Sequence, residues 1–419
     1  MRVAIVGGGI VGLALAIGLR QRGVFSCIYE AAPEIKELGV GITLLPHAMR
    51  ELTALGLGEA LAASGIEISS SSFYNRFGQL IYQEPRGAAA SYPNPEISIR
   101  RGRLHGILYQ KAVEMLGPDR ILTGHKLMSF AQDDRGVRLF FEDPAEGVAL
   151  EPACADIMIG CDGVNSAVRR VLYPNDRLAF TGINTWRGVT WRKPILDGHT
   201  YLRVGSIRKG KMVIYPVANA VPANGLQLIN WVAEIQESGA VMNDWNKSGS
   251  ADDLLPIYKD WNFPWLDVPA LIRDAECVFE YPMVDKDPLD RWSFGRVTLA
   301  GDAAHPMYPR GSNGSAQGLI DARVLGDSLA MHSDDLPAAL KAFEAERIGP
   351  TANVVRANRS VPPDIINIRV EELTNDRPFD NLDRFITQEE LRRISDNYKR
   401  IAGFAAEDCG TCSKPSKGN

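Results

Sequence analysis

The sequence predicts an α/β protein, α+β overall, with a helix-flanked parallel sheet, an inserted antiparallel sheet and C-terminal helices. Three observations predict it. Three short apolar runs each end in a glycine-centred motif: Gly7-x-Gly9-x-x-Gly12, Asp162-Gly163 and Gly301-Asp302. Between about 181 and 285 the hydrophobic period changes to two, the signature of antiparallel strands. Residues 316–359 and 388–401 read as helix.

The elements follow in order. Residues 3–6 are a strand-like apolar run, Gly7 to Gly12 a tight turn, and Leu13–Arg20 a helix. Strand, turn and helix in that order are what a dinucleotide fingerprint needs. Gly7 permits the turn, Gly9 lets a pyrophosphate approach the backbone, and Gly12 lets the helix close on the strand. The helix N-terminus offers free N–H groups to phosphates. A second apolar run, Cys27-Ile28-Tyr29, ends at Glu30, eighteen residues after Gly12. A carboxylate there suits the hydroxyls of an adenosine ribose. This makes the first domain Rossmann-like.

A helix is expected from Leu44 through Leu52, strand character over 73–95, and a helix from Arg101 to Met115. Residues 121–160 alternate as strands, with turns at 133–136 and 146–147. The apolar run ending at Cys161 leads into Asp162-Gly163, and Ser166–Val171 turn helical. Taken alone, an Asp-Gly after a strand is an ordinary turn. In the inserted region, Tyr201–Val204, Met212–Tyr215 and Leu226–Val232 alternate in period two. All seven tryptophans lie between 186 and 292. They suit a pocket for a flat ligand and ordinary sheet packing equally well. Val297–Ala300 is a strand ending in Gly301-Asp302, and a helix starts near Ser315. The helix over 316–359 is expected to break near Gly349-Pro350. Thr387-Gln-Glu-Glu390 is a capping box opening a charged helix to about Ile401. The expected division is a discontinuous first domain (1–72, 98–180, 286–360), an inserted domain (73–97, 181–285), a helical segment (361–405) and a flexible tail (406–419).

Composition narrows the function. The 419 residues suggest two domains, or one with an insertion, and 45% hydrophobic content supports a large core. A net charge of -5 argues against nucleic acid as a partner. No apolar run is long enough for a membrane span, and a strand starting at residue 2 leaves no room for a secretory signal. Six scattered cysteines fit a reducing cytoplasm. Cys409-Gly-Thr-Cys412 has CxxC spacing but lies in a Gly/Ser/Lys-rich tail without a second ligand pair, and the histidines form no metal-ligand pattern.

The three motifs together point to one non-covalently bound FAD whose two ends are held by distant parts of the chain. Asp302 can take the hydroxyls of the ribityl chain. The helix beginning near Ser315 presents free N–H groups toward a reduced, anionic flavin. Gly311 and Gly314 let backbone approach the ring. His305 reads as a polar-contact residue, since nothing pairs it with a nucleophile or metal.

Gly7-x-Gly9-x-x-Gly12 with Glu30, Arg101-x-x-Leu104, Cys161-Asp162-Gly163-x-x-Ser166-x-Val168-Arg169 and Gly301-Asp302-Ala-Ala-His305 resemble the single-component FAD-dependent aromatic hydroxylases. Trp186-Arg187-Gly188-Val189-Thr190, Tyr281–Leu289 and Met307–Gly314 are similar to the branch of 5-methylphenazine-1-carboxylate 1-monooxygenase and salicylate hydroxylase. The resemblance covers about residues 1–360. It implies the FAD-binding fold of the para-hydroxybenzoate hydroxylase type with an inserted substrate domain. It places Arg101 near the pyrophosphate and Asp162-Gly163 near the pyrophosphate and an approaching NAD(P)H. It places Asp302 on the ribityl chain, and Pro309, Gly311, Asn313 and Gly314 along the isoalloxazine. Two segments near the flavin depart from the family: many members have Asn at the position of His47, and a Gly-Gln-Gly run where this chain has Gly311-Ser-Asn313-Gly314.

The implied activity is a monooxygenase that consumes NADH or NADPH and inserts one atom of O2 into a small aromatic or heteroaromatic substrate through a flavin C4a-hydroperoxide. Decarboxylation would accompany this if hydroxylation replaces a ring carboxylate. Tyr215, on the strand expected over 212–217, is the candidate for deprotonating or polarising a phenolic substrate; strand propensity explains it equally well. The alternatives are an FAD oxidase, dehydrogenase or cyclase without oxygen insertion, and a non-catalytic binding protein on a related fold. Asp162-Gly163 argues for external NAD(P)H and the intact Gly301-Asp302 for a bound flavin. Monomer and homodimer fit the sequence equally.

Overall fold

The computed structural model describes residues 1–36, 39–220, 224–236, 249–360 and 362–405. A five-stranded sheet runs in the order Val297–Leu299, Ile157–Gly160, Arg2–Val6, Phe25–Tyr29, Ile121–Leu122. Every pairing in it is parallel. Ile157–Gly160 and Val297–Leu299 are buried throughout, as a sheet covered on both faces requires. The helix Ile10–Gln21 is buried continuously from Gly12 to Leu19. It packs between Arg101–Leu116 and Gly314–Met331.

The inserted sheet has seven strands, in the order Cys277–Asp285, Ala179–Arg192, Gln227–Gln236, Gly210–Asn219, Thr200–Ser206, Ser70–Tyr74, Leu80–Pro85. It is antiparallel except for the parallel pair of Thr200–Ser206 with Ser70–Tyr74. Its pairing begins at Ser70 and Ala179, a few residues before the expected 73 and 181. Alternation gives it two faces. Trp186, Met212, Ile214 and Trp231 face a core that also holds Leu254 and Tyr258 of one covering helix and Leu271 and Ile272 of another. Val189, Tyr201, Val213, Tyr215, Val217 and Leu228 line the opposite face. The latter face meets the strand Gly41–Leu44, where the Gly41 N–H donates to Asn230 Oδ1 at 2.6 Å.

The tryptophans are mainly core. Trp231 is fully enclosed and donates from Nε1 to Thr190 Oγ1 at 3.1 Å; a side chain at Gly188 would overlap its ring. Trp261 and Trp265 pack in the same cluster, and Trp292 packs on Phe343. Trp191 lies at the surface, and Trp245 falls outside the described residues.

The late helical region breaks at 332–335 rather than at Gly349-Pro350, giving Gly314–Met331 and Leu336–Ser360 with Pro350 inside the second helix. The polar run Ser333-Asp334-Asp335 supplies the stop, and the Asp335 carboxylate then receives the Ala338 N–H at 3.0 Å, starting the next helix. Gln388–Ile401 begins with the expected capping box of Thr387 and Glu390. Together with Ile365–Thr374 it packs on Phe73, Ile81 and Tyr82 of the inserted sheet. Cys409 and Cys412 lie outside the described residues. Among the described residues, four cysteines are free, no His/Cys/Asp/Glu group suits a metal, and no helix is long and apolar enough to cross a membrane.

Candidate active site

Strand order brings the motifs together. Gly301-Asp302, Asp162-Gly163, the Gly7–Gly12 turn and Glu30 follow four adjacent strands of the parallel sheet, at their C-terminal ends. This edge is where open α/β sheets bind ligands. Gly7 has φ +105°, and a side chain there would reach Cys161 O at 2.5 Å and Asp162 Cα at 2.9 Å, so the first turn lies against the middle motif. A side chain at Gly12 would overlap Gly7 O, whereas Gly9 faces open space. A side chain at Gly301 would reach Val11 at 2.9 Å, which ties the late motif to the first helix.

The polar atoms along this edge are prepared for a ligand. Glu30 Oε2 accepts the Gly8 N–H and Oε1 the Ala32 N–H, each at 2.7 Å, so the carboxylate is held while each oxygen keeps a further lone pair. The Gly9 N-cap leaves the helix start without a side-chain cap. His105, whose position the sequence did not single out, hydrogen-bonds Gly8 O at 2.6 Å. Asp162 Oδ2 accepts from the Ala167 and Val168 N–H groups at 2.6 and 3.2 Å, while Oδ1 is enclosed without a partner among the described residues. Burial raises this carboxyl above its ordinary range, and the hydrogen bonds oppose the rise in part. Gly163 follows with φ +74°. Asp302 is exposed, has no hydrogen bond or ion pair among the described residues, and faces the start of the helix Gly314–Met331, which also lacks a side-chain cap. Arg101 is likewise exposed, its side chain without such partners among the described residues.

The loop from Asp302 to Gly314 is braced from behind. Asp321, fully buried, receives the Gly301 N–H at 3.0 Å, His305 Nε2 at 2.5 Å and Arg347 Nε at 2.7 Å. His305 is thus in polar contact with the carboxylate that receives the Gly301 N–H. Arg169 donates to the carbonyls of Ala303 and Ala304 at 3.2 and 2.9 Å and pairs with Asp176. His47 Nε2 hydrogen-bonds Asn313 Oδ1 at 2.8 Å, and Asn313 donates to Ala402 O at 3.3 Å. Pro309 and Gly311 bound a short 3-10 turn, and a side chain at Gly311 would overlap the Tyr398 hydroxyl. The C-terminal segment thus backs the loop, a role that the capping box alone does not disclose.

Opposite the loop stands the inner face of the inserted sheet. The Tyr201 hydroxyl is 3.4 Å from Ser312 Oγ, and Tyr201 stacks on Tyr215 with ring centroids 4.9 Å apart. Burial, then Tyr201, push the Tyr215 phenol well above its ordinary pKa. A phenol in that state stays protonated at neutral pH: it can donate a hydrogen bond and polarise a substrate, but it is a poor proton acceptor. Arg187, Phe279 and Tyr281 extend the same face. The edge and its brace fit an extended dinucleotide, because enclosed Asp162 Oδ1 and His47 Nδ1 have no hydrogen-bond partner among the described residues and two helix starts lack a side-chain cap.

Comparison with known proteins agrees. Residues 1–358 match the family described as FAD binding domain. The chain is 40% identical over 362 residues to phenazine 1,6-dicarboxylic acid hydroxylase PhzS of Lysobacter antibioticus, covering 85% of this chain and 89% of that protein. It is 30% identical over 420 residues to 3-amino-4-hydroxybenzoate 2-monooxygenase PtmB3 of Streptomyces platensis, covering 98% of each. The fold is similar to that of Klebsiella pneumoniae HpxO complexed with FAD and uric acid, with a TM-score of 0.76 at 22% identity, over 98% of this chain and 96% of that one. The chain belongs to the FAD-binding-domain family and is an FAD-dependent monooxygenase of the aromatic hydroxylase class.

Proposed function

We propose that this enzyme uses NADH or NADPH and O2 to hydroxylate a planar aromatic or heteroaromatic substrate, with phenazine-type acids the first class to test. The observation that supports it is the placement of four strand-end motifs along one sheet edge, facing an aromatic face of the inserted sheet. FAD, when bound, supplies the redox chemistry and the activation of O2. Gly7, Gly9 and Gly12 would admit its pyrophosphate, Glu30 its ribose and Asp302 its ribityl chain. Arg101, Asp162 and Gly163 would border the phosphates and the path of the nicotinamide. Pro309, Gly311, Asn313 and Gly314 would carry backbone to the ring edge. Tyr215 would donate a hydrogen bond to an oxygen of the substrate, and the apolar face around it would exclude water.

The test is to follow NADH and NADPH oxidation by the purified flavoprotein with a panel of phenazines, hydroxybenzoates and quinolones, under labelled O2. Substrate-stimulated oxidation with label in the product is expected, and product masses will show whether a carboxylate leaves. Peroxide alone across the panel would overturn the reading. In the same assay Asp302→Ala should lose FAD more readily. Tyr215→Phe should keep FAD and slow product formation roughly tenfold; unchanged turnover and coupling would remove Tyr215 from the mechanism.

A further inference from the structure

Arg187 is half-buried and differs from the buried arginines among the described residues, of which Arg203 donates to Ser71 Oγ at 2.6 Å and the other three are ion-paired. Arg86 is paired with Glu96 at 2.8 Å, Arg169 with Asp176 at 2.9 Å, and Arg347 with Asp321 at 2.7 Å. The Arg187 side chain has no hydrogen bond and no ion pair among the described residues, and its Nε is enclosed. Glu234, a carboxylate close enough to act on it electrostatically, is committed to Lys211 at 2.8 Å. Among the described residues the one ring contact of Arg187, to Tyr281 at 5.8 Å from the centroid, is at the outer limit of a cation–π interaction. A half-buried guanidinium whose side chain makes no hydrogen bond on its own chain keeps its N–H groups free, so a partner for them is expected to come from outside the chain.

Its position is on the substrate side. Strand alternation puts Arg187 on the same face as Val189 and opposite to Trp186, which lies in the helix-covered core. The Tyr281 ring lies beside it, and Tyr215, Phe279 and Val232 belong to the cluster on this face. Arg101 adds a second positive charge to this region. Aromatic surface with a forked cation at its edge is the complement of a flat ring bearing a carboxylate, which a guanidinium receives through two parallel N–H bonds.

We propose that Arg187 anchors a carboxylate on the aromatic substrate and so makes the enzyme selective for aromatic acids over their neutral analogues. Burial lowers the Arg187 pKa and the Glu234 carboxylate opposes this; a guanidinium remains a cation at neutral pH. The proposal rests on the hydroxylase reading above, but its test does not depend on turnover.

Oxidised holoenzyme is titrated, without nicotinamide, with phenazine-1-carboxylate and phenazine-1-carboxamide, and with 3-hydroxybenzoate and 3-hydroxybenzamide, following the flavin absorbance. The acid of at least one pair should bind ten times tighter than its amide or better. Arg187→Met should bring that ratio close to one with FAD content unchanged. Arg187→Lys, which keeps the charge without the fork, should retain part of the preference and guards against a misfolded Met variant. An acid preference undiminished in both variants, or wild-type enzyme that favours no acid, overturns the assignment. Acid-selective binding lost in Arg187→Met but with no oxygenated product in the turnover assay would instead count against the hydroxylase reading alone.

Discussion

His47 shows how one residue carries both a departure from the family and a pH response. Its ring stacks on Phe404 with centroids 5.1 Å apart, its Nε2 donates to Asn313, and its Nδ1 is enclosed without a partner among the described residues. Burial lowers its pKa to about 4, with Arg50, Arg347 and Arg86 adding to the effect and Asn313 opposing it. The folded value lies below the unfolded value near 6.5, so between the two the unfolded chain binds more protons. The stability tied to the neutral ring is complete above the unfolded value and is lost as pH falls toward 4. The loss is roughly 2 kcal/mol by pH 5. His47→Asn should therefore show a smaller fall in melting temperature between pH 7.5 and pH 5 than the wild type; equal falls would dismiss the role. The sequence marked the positions of His47 and Asn313 as separate departures from the family pattern. Their pairing was not legible, because the two residues are 266 positions apart and only the fold joins them.

The helix Gln388–Ile401 was readable as an element, from its capping box and charge pattern, but its task was not. That task is carried by side chains reaching back to the loop before Gly314–Met331. The Tyr398 hydroxyl donates to Asn358 Oδ1 at 2.8 Å and fills the space where a side chain at Gly311 would stand. Gly311→Ala forces the ring or the loop to move, and overpacking of this kind costs about 1–3 kcal/mol. Removing the hydroxyl in Gly311→Ala/Tyr398→Phe should recover part of that cost. Denaturant unfolding of the two single variants and the double should then be non-additive. Simple additivity would show that the two positions do not touch. The same limit governs the inserted sheet: period two located its strands, but neither which face Trp231 and Tyr215 would take nor that Pro350 would be accommodated within a helix follows from periodicity.

Across the whole molecule, each nucleotide motif was legible because each is local, a strand followed by a turn that glycine or a carboxylate must make. Their convergence depends on strand order, which puts residues 297–299, 157–160 and 2–6 side by side. It depends also on the segment after residue 358, beyond the FAD-binding match yet built into the site. Asp364, buried in that segment, lies 2.7 Å from Arg310 and 3.2 Å from Lys211. Burial pushes its carboxyl up, but the two cations outweigh this and hold it at about 2. Removing residues 362–419 would take away Asp364, Tyr398 and Phe404 together, leaving Arg310 without its carboxylate beside the loop from Pro309 to Gly311. Loss of one member of a buried ion pair costs about 3–5 kcal/mol. A chain ending at residue 361 keeps Gly7, Glu30, Asp162 and Asp302, and is nevertheless expected to melt at lower temperature and to release FAD during gel filtration. Asp364→Asn in the full chain should give the melting shift alone, with Phe404 and Tyr398 still holding the loop. A truncated protein that keeps its flavin and its melting temperature would show instead that the first 361 residues form the site unaided.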